Sequence, residues 1–242
     1  MIKALNIDKL RFDMGDYVLS LQAVSVRVGG RERLRCVDLD VKRGAFAALV
    51  GSAGAGKSLT LACIAGARRA ARGRVRYFGY EIRSFARERI ARLGIVGTQS
   101  EPQPFGTMSV LDTVVVGALL RHPRIGKARA RARDVLALTG LTERAMLPFA
   151  ALGDVDRKRL EVARALATDP QVLLLDDIAA GLDRAGIDAL TTLLARARTT
   201  GLTVVAAART LDRIPGRPDA VSAIEGGRTV ELPAAAPADV RA

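Results

Sequence analysis

Tryptophan is absent from the 242-residue chain, and aromatic residues together make up only 4% of it. With so few rings, the core must rely on alanine, leucine and valine. Cysteine is nearly as scarce: Cys36 and Cys63 are the only two, they lack metal-ligand spacing, and they imply no oxidising compartment. Cys63 lies five residues beyond Ser58 on an expected helix, where a buried apolar thiol is the ordinary role. No apolar run approaches the roughly 18–20 residues of a membrane span. The first nine residues, Met1 to Lys9, hold no apolar stretch of signal-peptide length. A cytoplasmic location is therefore expected.

Acidic residues are also in deficit, with 25 Asp and Glu against 38 Lys and Arg, a net charge of +13. Such a surplus attracts polyanions, either nucleic acid or an acidic lipid surface. The basic runs Arg68 to Arg74 and Arg121 to Arg133 contain no interleaved aromatics. Base-stacking platforms need those rings, so no specific nucleic-acid partner is expected and the excess reads as solvated surface. Hydrophobic residues reach 49%, enough for a large core and too many for intrinsic disorder.

Residues 18–28 (VLSLQAVSVRV) alternate apolar and polar as a half-buried strand does, and Gly29-Gly30 marks a turn before a second strand at 34–42. Ala45 to Val50 is a short apolar run that reads as a fully buried strand. From Lys57 to about Ala67 the pattern turns helical, and residues 107–147 are mostly helical, with Gly140 as a C-cap. A further helix over Arg157 to Thr168 stops at Asp169-Pro170. The strand Gln171 to Leu175, a helix over Asp188 to Arg198 and the strand Leu202 to Ala207 complete an α/β core with parallel strands.

Between the buried strand and the first helix stands Gly51-Ser52-Ala53-Gly54-Ala55-Gly56-Lys57-Ser58. This is the pattern G-x-x-x-x-G-K-[ST], a phosphate-binding P-loop (Walker A). Its glycines let backbone N–H groups curl around phosphate oxygens, and the helix that follows adds its positive N-terminal end. Lys57 is placed to reach the β and γ phosphates of ATP, and the Ser58 hydroxyl to ligate Mg²⁺. A magnesium-binding carboxylate is expected at the end of a second buried strand, and Leu173-Leu174-Leu175-Asp176 supplies it. Asp177 follows, where the group that polarises an attacking water is expected.

On these motifs the chain resembles the ATP-binding subunits of ABC transporters, and among them those of branched-chain amino-acid importers. The stretches Leu160 to Pro170, Ala179 to Asp183, Ile90 to Ile95 and Met108 to Leu111 read much like that family. The resemblance spans roughly residues 18–230. It implies a P-loop NTPase (RecA-like) α/β core with an antiparallel β lobe and an inserted helical lobe at about 100–155. Residues 1–17 form an N-terminal extension and 231–242 a loose tail. It also implies head-to-tail dimerisation with a second ATP-binding subunit, and membrane permease subunits that hold the chain at the inner face of the cell membrane.

Several positions depart from the family pattern. Where its signature Leu-Ser-x-Gly-Gln stands, this chain has Leu152-Gly153-Asp154-Val155-Asp156. Two carboxylates there suit a helix start, with Asp154 or Asp156 as a cap, better than a phosphate contact. The family's catalytic glutamate is Asp177 and its switch histidine becomes Arg209. Gln99 is the nearest candidate for its loop glutamine, although an ungapped reading places Ser100 there. The ring that stacks on adenine becomes Val28, and the lone histidine, His122, is no substitute for the switch residue. Two functional readings follow: an ABC-type ATPase that drives import, or a nucleotide-binding module of the same fold with little turnover. Intact residues 51–58 and Asp176 support both, the departures favour the second, and the family resemblance makes the first, the ATP-binding subunit of an importer, the leading expectation.

Overall fold

The computed structural model describes residues 16–98 and 108–230. Gln99, Ser100, the N-terminal extension up to residue 15 and the tail from 231 onward lie outside the described residues. Strands β1 (Tyr17–Val28) and β2 (Arg31–Lys42) form a hairpin, turned by Gly29 and Gly30 at φ +57° and +77°. Positive φ at both central residues is what a two-residue hairpin loop with the native strand twist requires. β1 carries a bulge between Leu21 and Val24, where Ala23 sits at φ 49°. The extra residue lets Leu21 and Val24 both point into the core although three positions separate them.

The hairpin continues through β4 (Arg72–Tyr77) and β5 (Tyr80–Glu81) into a four-stranded antiparallel sheet of order β2-β1-β4-β5. The sequence pattern shows β4 only as a basic run. In the fold Arg72 and Arg74 are exposed, while Val75 and Tyr77 are buried. Alternation is present, but two arginines and a glycine disguise it. β2 likewise begins three residues ahead of the expected strand, because the hairpin pairs the charged Arg31 to Arg33 segment with β1.

A second sheet of six strands has the order β10-β9-β3-β8-β7-β6. Its strands β3 (Phe46–Val50), β6 (Ile95–Gly97), β7 (Val172–Asp176), β8 (Thr203–Ala208) and β9 (Ala220–Glu225) run parallel, and β10 (Arg228–Val230) closes one edge antiparallel. All six residues of β8 are buried, as expected for a strand covered on both faces. Successive residues of β3 serve different cores: Phe46 and Ala48 face one, Ala47 and Leu49 the other.

Helices α3 (Val110–Ala118), α4 (Ile125–Thr139), α5 (Asp154–Leu166) and α6 (Arg184–Arg198) pack into the first core. The second is shared by the antiparallel sheet, α1 (Lys57–Ile64) and α2 (Arg87–Leu93). α1 ends before Ala67 because Gly66, at φ +69°, turns the chain under Ile90. α4 ends on Gly140 at φ 71°, the left-handed C-cap the sequence leads one to expect. Asp183 caps α6, accepting a hydrogen bond from Gly186 N at 2.8 Å.

Candidate functional site

Residues 51–56 connect the C-terminal end of β3 to the start of α1. The loop leaves the sheet at Gly51, whose φ is +153°, and an added Cβ there would lie 2.2 Å from the carbonyl oxygen of Ile224. Gly56, at φ 118°, occupies the N-cap of α1, with no side chain capping the helix. A methyl group on Gly56 would meet Leu34 Cδ2 at 2.4 Å. These glycines are thus demanded by close packing against β2 and β9 as well as by backbone angle. Two further bonds pin the loop from behind: Gly51 N donates to Arg209 O at 3.2 Å, and Gly227 N donates to Ala55 O at 3.0 Å.

Lys57 is only 9% exposed and folds back over the loop, its Nζ donating to Gly51 O at 2.6 Å and Ser52 O at 2.9 Å. Burial holds its pKa below the ordinary lysine value, partly offset by the carboxylates of Asp177 and Asp176, with the Arg209 cation adding to the depression. Ser58 Oγ donates to Asp176 Oδ1 at 2.9 Å, so hydroxyl and carboxylate from α1 and β7 are already in register. Asp177 sits at φ 47°, held by its N–H on Ala207 O at 2.9 Å. Aspartate tolerates this left-handed conformation better than most side chains. Arg209 follows β8 directly and is exposed. Lys57, Ser58, Asp176, Asp177 and Arg209 therefore converge at the carboxyl ends of β3, β7 and β8, where ligands of open α/β sheets bind.

A cavity of about 590 Å³ opens from this loop and is lined by Val28, Arg33, Gly54, Lys57, Ser58 and Arg68, among others. Its size is within the range of small-molecule sites. Of these residues the sequence marks Val28, shows Arg68 only as the start of a basic run, and gives no sign of Arg33 or of the backing residues Ile224 and Gly227. Arg33 lies in a charged strand segment and Ile224 is remote in sequence, so no periodicity marks either. His122 is elsewhere: its Nε2 stands 3.0 Å from Asp169 Oδ2, beside an Arg131–Asp169 ion pair at 2.7 Å.

The start of α5 corrects one expectation. Gly153 occupies the N-cap, and neither Asp154 nor Asp156 caps the helix. Asp156 is instead held by Arg144 Nε at 2.6 Å and Arg159 Nη1 at 3.1 Å, which neutralise it, while Asp154 is exposed and 3.7 Å from Arg157. Val155 packs against Gly186 at the start of α6.

Comparison with known proteins matches residues 34–180 to the ABC transporter family. The chain belongs to that family. Among its relatives is a probable ABC transporter ATP-binding protein of Azorhizobium caulinodans, 36% identical over 73% of this chain and 63% of its own length. The methionine import ATP-binding protein MetN of Rhizobium etli is 30% identical over 88% of this chain and 60% of its own. This chain thus spans about three fifths of the length of these two relatives. LivG of Salmonella typhimurium, a high-affinity branched-chain amino acid transport ATP-binding protein, is 28% identical over 76% of this chain and 78% of its own.

The fold agrees. An ATP-binding cassette of an ABC transporter solved in its ADP conformation superposes with a TM-score of 0.81 at 22% identity, covering 88% of this chain and 89% of that one. cbiO1 of Clostridium perfringens gives 0.79 at 28% identity, with 89% and 88% covered. The α/β core with its antiparallel β lobe is thus a P-loop NTPase fold of the ABC type. Among the described residues no helix is long and apolar enough to cross a membrane.

Proposed function

We propose that this chain is the ATP-binding subunit of an ABC importer, and that it binds ATP with Mg²⁺ on residues 51–58. One observation carries the reading. Lys57 and the Ser58–Asp176 pair are brought together at the mouth of a loop whose glycines and helix start are shaped for phosphate. The donor set fits magnesium, which takes oxygen ligands and is commonly held by one or two carboxylates together with substrate phosphates. Ser58 Oγ and Asp176 would hold it, and when bound it would neutralise charge on the β and γ phosphates. Lys57, buried against two carbonyls, would exchange them for phosphate oxygens, and Arg209 is a second permanent cation at the same corner.

Asp177 would be the carboxylate that orients the attacking water, and Gln99, outside the described residues, would be its companion contact. The Asp177 arm is one methylene shorter than a glutamate's, a displacement of about 1 Å, and misplacement of that order can cost roughly 100-fold in rate. The start of α5 would contribute to the opposite nucleotide in a head-to-tail dimer. There it presents exposed Asp154, Val155 in place of the signature glycine and an Asp156 committed to two arginines, with no serine hydroxyl. A heterodimer with a second ATP-binding subunit that carries the better signature suits this arrangement. Permease subunits would then hold the pair at the inner face of the membrane, and the name of the LivG relative suggests branched-chain amino acids as cargo.

On this reading residues 18–230 form the nucleotide-binding domain, with its helical lobe at about 100–155. The second reading, a binding module with little turnover, is favoured by the Asp177 arm and by the α5 start. Titration of the purified chain with ATP–Mg²⁺ tests the common part. The Lys57→Ala variant should lose binding, and unchanged affinity would remove the site. ATPase activity with and without a candidate partner subunit then separates the two readings.

A further inference from the structure

Asp177 and Arg209 are carried by two loops that leave the carboxyl edge of the sheet side by side. The first follows β7 and runs from Asp177 to the α6 cap at Asp183. The second follows β8 and begins with Arg209. Both are rooted in the first core, one by Ile178, Ala179 and Leu182, the other by Ile214. Asp177 N–H is fixed on Ala207 O, but beyond that point the first loop holds itself by two short-range bonds. Ala180 N donates to Asp177 O at 2.9 Å and Leu182 N to Ala179 O at 3.2 Å. Asp177 sits at φ 47°, and Gly181 at φ +78° has nothing within 4 Å of an added Cβ. A residue in the left-handed region stays there only when its surroundings over-determine it.

Arg213 supplies a constraint from outside the loop. It ends the single 3₁₀ turn Leu211–Arg213, and its Nη1 donates to Leu182 O at 2.7 Å across 31 positions of sequence. Among the described residues this is the one hydrogen bond that joins residues 178–183 to residues 209–214. The turn behind it is braced, with Arg213 N on Thr210 O at 3.2 Å and Ile214 N on Leu211 O at 3.0 Å. Arg213 Nε stands 3.9 Å from Asp212, so the short bond of this guanidinium goes to the carbonyl and not to a carboxylate. A bond from an ionised donor is roughly twice as strong as a neutral one. The side chain is 45% exposed, so little core packing depends on it. Its effect is to make one unit of the loop bearing Asp177 and the loop bearing Arg209.

We infer that Arg213 is a positioning residue for ATP hydrolysis: through the Leu182 carbonyl it holds the Asp177 carboxylate in place against Arg209 and the phosphate loop. The inference rests on the reading of Asp177 as the carboxylate that orients the attacking water, and adds the residue that keeps it there. A reacting group displaced by about 1 Å can cost roughly 100-fold in rate. Leu182 lies five residues beyond Asp177 and passes on only part of such a shift, so a fall of about tenfold in kcat is expected on its release.

The test measures ATP hydrolysis by the assembled dimer, together with ATP–Mg²⁺ affinity and Tm of the full chain, in wild type, Arg213→Met and Arg213→Lys. Methionine keeps a long stem without donors, and lysine restores a charged donor. Arg213→Met should lower kcat about tenfold while ATP affinity changes less than about twofold. Its Tm should fall by no more than about 4 °C, the share of one hydrogen bond. Arg213→Lys should recover most of the rate. Arg121→Met removes a comparable arginine bond, Nε to Thr168 O at 3.3 Å, just ahead of the amino end of β7, and should leave kcat unchanged. An unchanged kcat in Arg213→Met overturns the inference. So does a rate loss matched by lost ATP affinity or shared by Arg121→Met, since either marks a general structural effect. A rate that lysine does not restore overturns the hydrogen bond as the cause. Should the wild-type dimer bind ATP and hydrolyse none, the ATPase reading falls and this inference with it. Should it hydrolyse ATP as fast with methionine at 213, only the inference falls.

Discussion

Replacing Gly51 by alanine puts a methyl carbon 2.2 Å from the Ile224 carbonyl oxygen, well inside van der Waals contact, on a backbone with φ +153° that side chains rarely adopt. The neighbour cannot yield easily, because Ile224 is fully buried and lies in β9, which is paired with β3. The backbone conformation alone costs about 1–3 kcal/mol, and forcing an extra carbon into a packed site adds about 1–3 kcal/mol. The sum of about 2–6 kcal/mol is a large part of the 5–15 kcal/mol that holds a typical domain together. For a chain of this size, each kcal/mol lowers Tm by roughly 2–4 °C, so a fall of about 5–20 °C is expected. Gly54 is the matched control. It also has positive φ, +76°, but nothing lies within 4 Å of an added Cβ. Gly54→Ala should cost only the conformational part, about 1 kcal/mol, and a few degrees. Thermal unfolding followed by circular dichroism reads both. Equal Tm losses in the two variants, or a Gly51→Ala loss under about 3 °C, would refute the claim that steric contact with β9 demands glycine at 51.

Further outcomes concern rate, pH and stability. Asp177→Glu should raise ATP hydrolysis in the assembled dimer by up to about 100-fold if the short carboxylate limits turnover; an unchanged steady-state rate places the limit elsewhere. Lys57 has a pKa below the ordinary lysine value of 10.5, and bound phosphate raises it. Nucleotide affinity should therefore fall as pH rises past the depressed value, by at most about tenfold per unit, and binding isotherms at alkaline pH should show this. In a Lys57→Arg variant the slope should vanish; a slope that persists assigns the titration to another group. Asp183→Ala removes the α6 cap at Gly186 N and should cost about 1 kcal/mol in urea denaturation. No change would mean that solvent satisfies the helix start equally well.

How much was legible in advance follows from where the information resides. The turn at Gly29-Gly30, buried strands β3, β7 and β8, and the C-cap at Gly140 were all marked by runs or single residues whose effect is local. β4 gives no strand signal because arginines cover its exposed face, and three-residue β6 and β10 are too short for any period to emerge. The acid-rich start of α5 suggested side-chain caps, yet Arg144, twelve residues upstream of Asp156, claims that carboxylate through an ion pair. An ion pair between elements outcompetes a local cap when folding brings a guanidinium close. Composition records only that both charges exist.

Residue order by itself determined the phosphate loop, since Gly51 to Ser58 are contiguous and their chemistry follows from spacing along one turn and one helix start. It also determined that Asp176 ends a buried strand, because an apolar run cannot continue through a carboxylate. Tertiary structure alone decided what surrounds that loop. The Ser58–Asp176 contact joins groups 118 positions apart, and the wall at Ile224 and Gly227 comes from β9 and the turn after it, more than 160 residues later in the chain. Arg33 reaches the same cavity from the opposite direction along the chain, carried there by the β1–β2 hairpin. Such neighbours are chosen by the order in which parallel strands assemble. That order is set by packing over the whole sheet and leaves no trace in the local pattern of any one segment.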